Sequence, residues 1–135
     1  MMFVDAAAIV AILSREPEAE RCANAIAEAT EPFTSAIAVW EAAMALSRPE
    51  KLRIPIETSA ILVSRFLDER AVAVRDLPPP DVALSLSVEA ASRFRRNTIR
   101  LNIADCFHYA CARHYGVPIL STADEFRLTD LWTVP

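Results

Sequence analysis

The sequence predicts an α/β domain of three layers, α/β/α, with helices on both faces of a mostly parallel central sheet. Two observations carry that prediction. Short apolar or β-rich runs alternate with helix-period segments along the whole chain, and such alternation implies parallel strands covered on both faces. The stretch Leu101–Phe126, LNIADCFHYACARHYGVPILSTADEF, reads as helix, tight turn, short strand and acid, which is half of an α/β unit. At 135 residues, without repeats or linkers, residues 1–135 are expected to form one domain. A hydrophobic content of 53% leaves little room for disorder. It also leaves apolar surface for a partner or a second copy.

The elements follow in order. Met2–Val4 is an apolar run that stops at Asp5, and Ala6–Arg15 is rich in helix formers, so strand, capping acid and helix are expected. Pro17 restarts the chain into an alanine-rich helix, Glu18–Ala29, with Ala19, Cys22, Ala23 and Ile26 on one face. Its opening acids, Glu18 and Glu20, suit the positive end of the helix dipole. Pro32–Ser35 repeats strand and hydroxyl cap before the helix Ala36–Leu46. The buried stripe there is expected at Ile37, Trp40, Ala43 or Met44, and Leu46, with Glu41 one residue off it. Pro49 ends that helix, and Ile56–Glu69 follows with Ile61, Leu62, Arg65 and Phe66 at helical spacing. Ala71–Asp76 reads as a strand, Leu77–Pro80 as a turn and helix start, and Asp81–Phe94 as a helix with a mixed face. Ile103–Tyr115 is the next helix, stopped by Gly116. Val117–Ser121 and Leu131–Val134 are the last strands, the second at an edge.

Composition narrows the function. A net charge of −4 argues against indiscriminate nucleic-acid binding. The basic residues are almost all arginine, with Lys51 the single lysine; Arg93, Arg95, Arg96 and Arg100 cluster ahead of Leu101, as phosphate contacts or as a solvated face. Cys22, Cys106 and Cys111 have no ligand spacing and read as packing residues in a reducing cytoplasm. The apolar start lacks a basic segment and contains Asp5, so it is not a signal peptide, and no run is long enough to span a bilayer. The single glycine excludes a Gly-rich phosphate loop, and no G-x-S-x-G elbow is present.

Function in an open α/β sheet collects at the carboxyl ends of the strands. Asp5, Asp105 and Asp124 are placed there, and Glu41, two turns into its helix, reaches back to the same edge. Each alone has a plain reading as a helix cap, a dipole partner or a loop residue. The apolar neighbours of Asp5 and Glu41 shift the balance, because carboxylates seldom enter such surroundings without a counter-charge. If the acids converge, an oxygen-only site favours Mg²⁺ or Mn²⁺ and phosphodiester hydrolysis. His108, one turn from Asp105, reads first as a packed or rim histidine, with a base or ligand role as the sharper alternative. Glu125 is an alternative to Asp124.

MFVDAAAIVAIL, TSAIAVWEAAMAL and LNIADCFHYACARHYGVPIL followed by STADEF resemble, in order, the motifs of PIN-domain endoribonucleases, specifically VapC-type toxins of toxin–antitoxin pairs. The resemblance implies a PIN-like fold and a Mg²⁺-dependent endoribonuclease, with Mn²⁺ as a substitute, acting on RNA. It further implies a cognate antitoxin protein, and a homodimer or a toxin–antitoxin hetero-oligomer. By motif, Asp5, Glu41, Asp105 and Asp124 would be catalytic, with Asp5 and Asp105 on the metal, and Thr122 and Asn102 would orient acids. Ala7 stands where the family often has Ser, Ala104 where Gly is usual, and the loop Arg95–Arg100 is short. Ala7 and Ala104 favour the rival reading, a PIN-like binding module of weak or no activity; a DNA-directed nuclease is the other alternative.

Overall fold

The computed structural model describes residues 1–95 and 99–134. Arg96, from the expected arginine cluster, lies outside the described residues, as does part of the loop Arg95–Arg100. Five parallel strands are described: β1 (Met2–Val4), β2 (Pro32–Ser35), β3 (Ala73–Arg75), β4 (Ile119–Leu120) and β5 (Thr133–Val134), in the spatial order β3-β2-β1-β4-β5. Six α-helices are described with them: α1 (Ala6–Leu13), α2 (Ala19–Glu28), α3 (Ala36–Leu46), α4 (Ile56–Glu69), α5 (Pro80–Phe94) and α6 (Ile103–Tyr115). None is long and apolar enough to cross a membrane.

The strand order explains where a site forms. The chain steps outward from β1 through β2 to β3, then returns to the other flank of β1 with β4 and β5. The winding reverses between β1 and β4, and in such sheets the crevice at the carboxyl ends of those two strands is the ligand position. Val4 pairs with Leu120 there, so Asp5 and Ser121 emerge side by side. The inner strands β1 and β2 are buried on both faces; β1 reads as an unbroken apolar run, and in β2 buried Thr34 donates its hydroxyl to the Val4 carbonyl. Phe3 and Phe33 meet edge to face at 5.7 Å in the core, a geometry aromatic quadrupoles favour.

Two helix faces differ from expectation. α3 buries Ala38, Ala42, Ala43 and Leu46, while Trp40 is 61% exposed and Met44 is also exposed. The helix is apolar almost all round, so periodicity chooses no face. Contact with α1, α4 and α6 selects the small alanines, which let the backbones approach closely. Ser59 on α4 confirms the close fit by donating its hydroxyl to the Ala43 carbonyl at 2.7 Å. α4 likewise turns Ser59, Val63, Phe66 and Leu67 inward and leaves Ile61 exposed. Ala104 sits inside α6, and the residues with positive φ among those described are Arg15, Arg53, Ala71 and Gly116. No left-handed conformation is therefore demanded of Ala104.

Candidate metal centre

Asp5 follows β1, and its backbone does the capping that its side chain was expected to do. The Asp5 carbonyl accepts from the N–H groups of Ala8 and Ile9, and the carboxylate makes no cap bond. Freed from the cap, the buried carboxylate accepts from Ser121 Oγ at 2.5 Å through Oδ2, and Oδ1 is left without a hydrogen-bond partner. Ser121 is itself held by the N–H of Ala123, which donates to Oγ at 3.0 Å.

Glu41 arrives from α3, whose start is fixed by Ser35 accepting from the Ala38 N–H at 3.2 Å. Asp105 arrives from the first turn of α6 in a capping box. Asn102 Oδ1 accepts from the Asp105 N–H at 2.8 Å, and Asp105 Oδ2 accepts from the Asn102 N–H at 3.0 Å. The plain reading of Asp105 is thus true for one of its oxygens. His108, one turn further and wholly buried, completes the group: Nε2 lies 2.8 Å from Glu41 Oε1 and 3.4 Å from Asp5 Oδ1. Ligand atoms of Asp5, Glu41, Asp105 and His108 all fall within 4.8 Å of one another.

The protonation balance reflects the crowding. Burial raises the Asp5 carboxyl above the usual range, against the pull of His108 and Ser121. Burial also lifts Asp105 to about 6, with the charges of Asp5 and Glu41 adding to it. Burial alone would lower His108, yet the Glu41 hydrogen bond and the surrounding carboxylates raise it overall. Two carboxylates 4.8 Å apart repel by about 3.5 kcal/mol at an effective dielectric near 20. One imidazolium cannot neutralise three such groups. A divalent cation fits this donor set, and the buried Asp5 Oδ1, without a hydrogen-bond partner, leaves a lone pair free for it.

Asp124 is not brought into the cluster. It opens a short 3-10 helix, Asp124–Leu128, its side chain is 93% exposed, and it faces Arg127 at 3.7 Å. Glu125 and Thr122 instead line the cleft above the acids, a space of about 430 Å³ walled by Ala7, Val10, Arg48, Lys51 and Arg100. Lys51 is ion-paired with Glu16 across that wall. A larger cleft of about 730 Å³ lies by Met1, Arg21, Thr30 and Pro118, with Glu28 as its one acid, and offers no comparable chemistry. Sequence reasoning missed Ser121 and ranked His108 low. The available signals were the position of Ser121 at the end of β4 and the i, i+3 spacing of Asp105 and His108.

The family model described as "PIN domain" matches residues 2–128. "Ribonuclease VapC" of Mycolicibacterium smegmatis is 30% identical over 151 residues, covering 98% of this chain and 99% of that protein. "Ribonuclease VapC42" of Mycobacterium tuberculosis is 29% identical over 131 residues, covering 96% of each. The crystal structure of Mycobacterium tuberculosis VapC20, titled a sarcin–ricin loop cleaving toxin, superposes with a TM-score of 0.75 at 16% identity, covering 99% of this chain and 98% of that one. At that identity the likeness is one of fold.

Proposed function

This chain belongs to the PIN-domain family and, within it, to the VapC ribonucleases, and from that premise we propose that Asp5, Glu41 and Asp105 hold a Mg²⁺ ion, with Mn²⁺ as a substitute, for hydrolysis of RNA phosphodiesters. The observation that carries the reading is the convergence of three carboxylates within 4.8 Å at the point where the sheet reverses its winding. A cation held by these acids would supply Lewis-acid charge to the phosphodiester and lower the pKa of a bound water. Asp5 and Asp105, short side chains pinned by Ser121 and the Asn102 N–H, would hold the ion. Glu41, 26% exposed at the cleft floor, is the acid best placed to take a proton from the attacking water. Arg48 and Arg100 on the cleft walls supply charge for the flanking phosphates of RNA. Of the two candidates for a fourth acid, the cleft lining favours Glu125 over Asp124.

The family implies an antitoxin partner. Between α3, α4 and β3, Val39, Trp40, Ile56 and Val74 line an apolar groove, with Trp40, Ile56 and Val74 exposed. That groove suits an amphipathic antitoxin helix. A single domain over residues 1–135, a homodimer or hetero-oligomer, and a cytoplasmic site of action complete the proposal. The test is cleavage of mixed RNA by antitoxin-free protein with Mn²⁺, beside single-stranded DNA and an Asp105→Asn control. RNA cleavage by wild type alone supports the reading. Equal cleavage by Asp105→Asn, or none by wild type, defeats it.

A further inference from the structure

We propose that His108 is a positioning residue: its Nε2–H clamps the Glu41 carboxylate beside Asp5, and the imidazole does not itself ligate the metal. What the clamped Glu41 does rests on the ribonuclease reading above; the hydrogen bond itself does not.

Each carboxylate of the cluster has one anchor. Asp5 has the Ser121 hydroxyl, and Asp105 has the Asn102 N–H. Glu41 is the longest of the three and sits two turns into its helix, so it has the most rotamers to lose. Among the described residues its hydrogen-bond partner is His108 Nε2, at 2.8 Å. That bond joins α3 to α6 across the cleft floor, and the ring that makes it is immobilised by complete burial beside Phe3, centroids 5.6 Å apart.

The other ring nitrogen separates clamp from ligand. An imidazole that ligates through Nε2 carries its proton on Nδ1, and ligating histidines almost always donate that N–H to a carbonyl, carboxylate or water. Nδ1 of His108 is buried and has no hydrogen-bond partner. Ligation would therefore leave a buried donor unmet. With the single proton on Nε2, Nδ1 is a bare acceptor, and orphaned buried acceptors are less rare than orphaned buried N–H groups. The geometry thus selects the Nε2–H tautomer, donating to Glu41.

The test uses the full chain labelled with ¹⁵N-histidine and loaded with Mg²⁺, read by long-range ¹H–¹⁵N correlation. The expected spectrum has His108 protonated at Nε2 and unprotonated at Nδ1. A proton on Nδ1, with Nε2 shifted by the metal, overturns the proposal. In cleavage assays with Mn²⁺, His108→Gln restores a donor near the Nε2 position and is expected to keep most of kcat. His108→Leu fills the space without a donor and should lose about 10–100-fold in kcat at unchanged KM. Equal losses in the two folded variants, or none in either, also overturn it. The tautomer needs no RNA to be read, so a wild-type protein that cleaves nothing sinks the ribonuclease reading and leaves this test standing.

Discussion

Replacing Asp105 by Asn tests whether the acid cluster stores repulsion when no cation is bound. Burial chiefly, with the Asp5 and Glu41 charges, raises this carboxyl from its ordinary 3.8 to about 6. A carboxyl displaced upward holds its proton more tightly in the folded than in the unfolded chain. From about pH 4 to about pH 6 the folded state therefore binds more protons, and stability falls as pH rises. The full displacement is worth about 3 kcal/mol. Asp105 is only half-buried, so solvent screening reduces this to roughly 1–2 kcal/mol. The amide of the Asp105→Asn variant cannot ionise, yet its oxygen can still accept from the Asn102 N–H, which keeps the cap. Asp5 and His108, also raised, act in the same direction but remain in both proteins. In EDTA, Asp105→Asn should therefore gain roughly 1–2 kcal/mol on wild type between about pH 4 and pH 7.5. At about 4 °C per kcal/mol this is a relative Tm gain of roughly 4–8 °C, measurable by scanning calorimetry. Saturating Mn²⁺ should stabilise wild type and leave the variant nearly unmoved. A Tm difference that stays flat with pH, or narrows as pH rises, would refute the account of stored repulsion.

Four further outcomes follow from the structure. Asp124→Asn should leave cleavage nearly unchanged, whereas Glu125→Gln, on the cleft wall, should slow it; kcat/KM on one RNA ranks them, and the reverse order restores Asp124 as the fourth acid. Arg48→Glu and Arg100→Glu should raise KM more than they lower kcat, and each should reduce the log–log salt slope of RNA binding by about 1. Ala71 closes α4 with φ 54° although it carries a Cβ, so Ala71→Gly should add about 1 kcal/mol in urea denaturation. Gly116→Ala, at φ 66° with open space around it, should lose about as much through the backbone alone.

Helix and strand bounds were legible wherever a punctuating residue fixed them. β1, β2, α3, α4 and α6 stand where the sequence placed them, because Asp5, Ser35, Pro49, Asn102 and Gly116 start or stop elements by local chemistry. The buried face of α3 was not legible. A helix reading AIAVWEAAMAL is apolar on nearly every side, and only the neighbouring helices decide that alanines go in and Trp40 stays out. The site divides in the same way. Asp5, Glu41 and Asp105 follow from the strand-end logic of an α/β sheet. The anchoring of Asp5 by Ser121 depends on the β1–β4 register, a contact 116 residues apart in sequence. His108 was ranked as packing because burial and function are separate questions, and here one imidazole answers both.

The most direct measurement is anomalous diffraction from crystals of the metal-free protein soaked in Mn²⁺. A manganese peak within bonding distance of Asp5 Oδ1 and of Asp105, with Ser121 still on Asp5 Oδ2, is the result predicted. No peak in the cluster at saturating Mn²⁺, or a metal held elsewhere while these carboxylates stay unligated, would contradict the assignment of the sheet-edge acids as the metal centre.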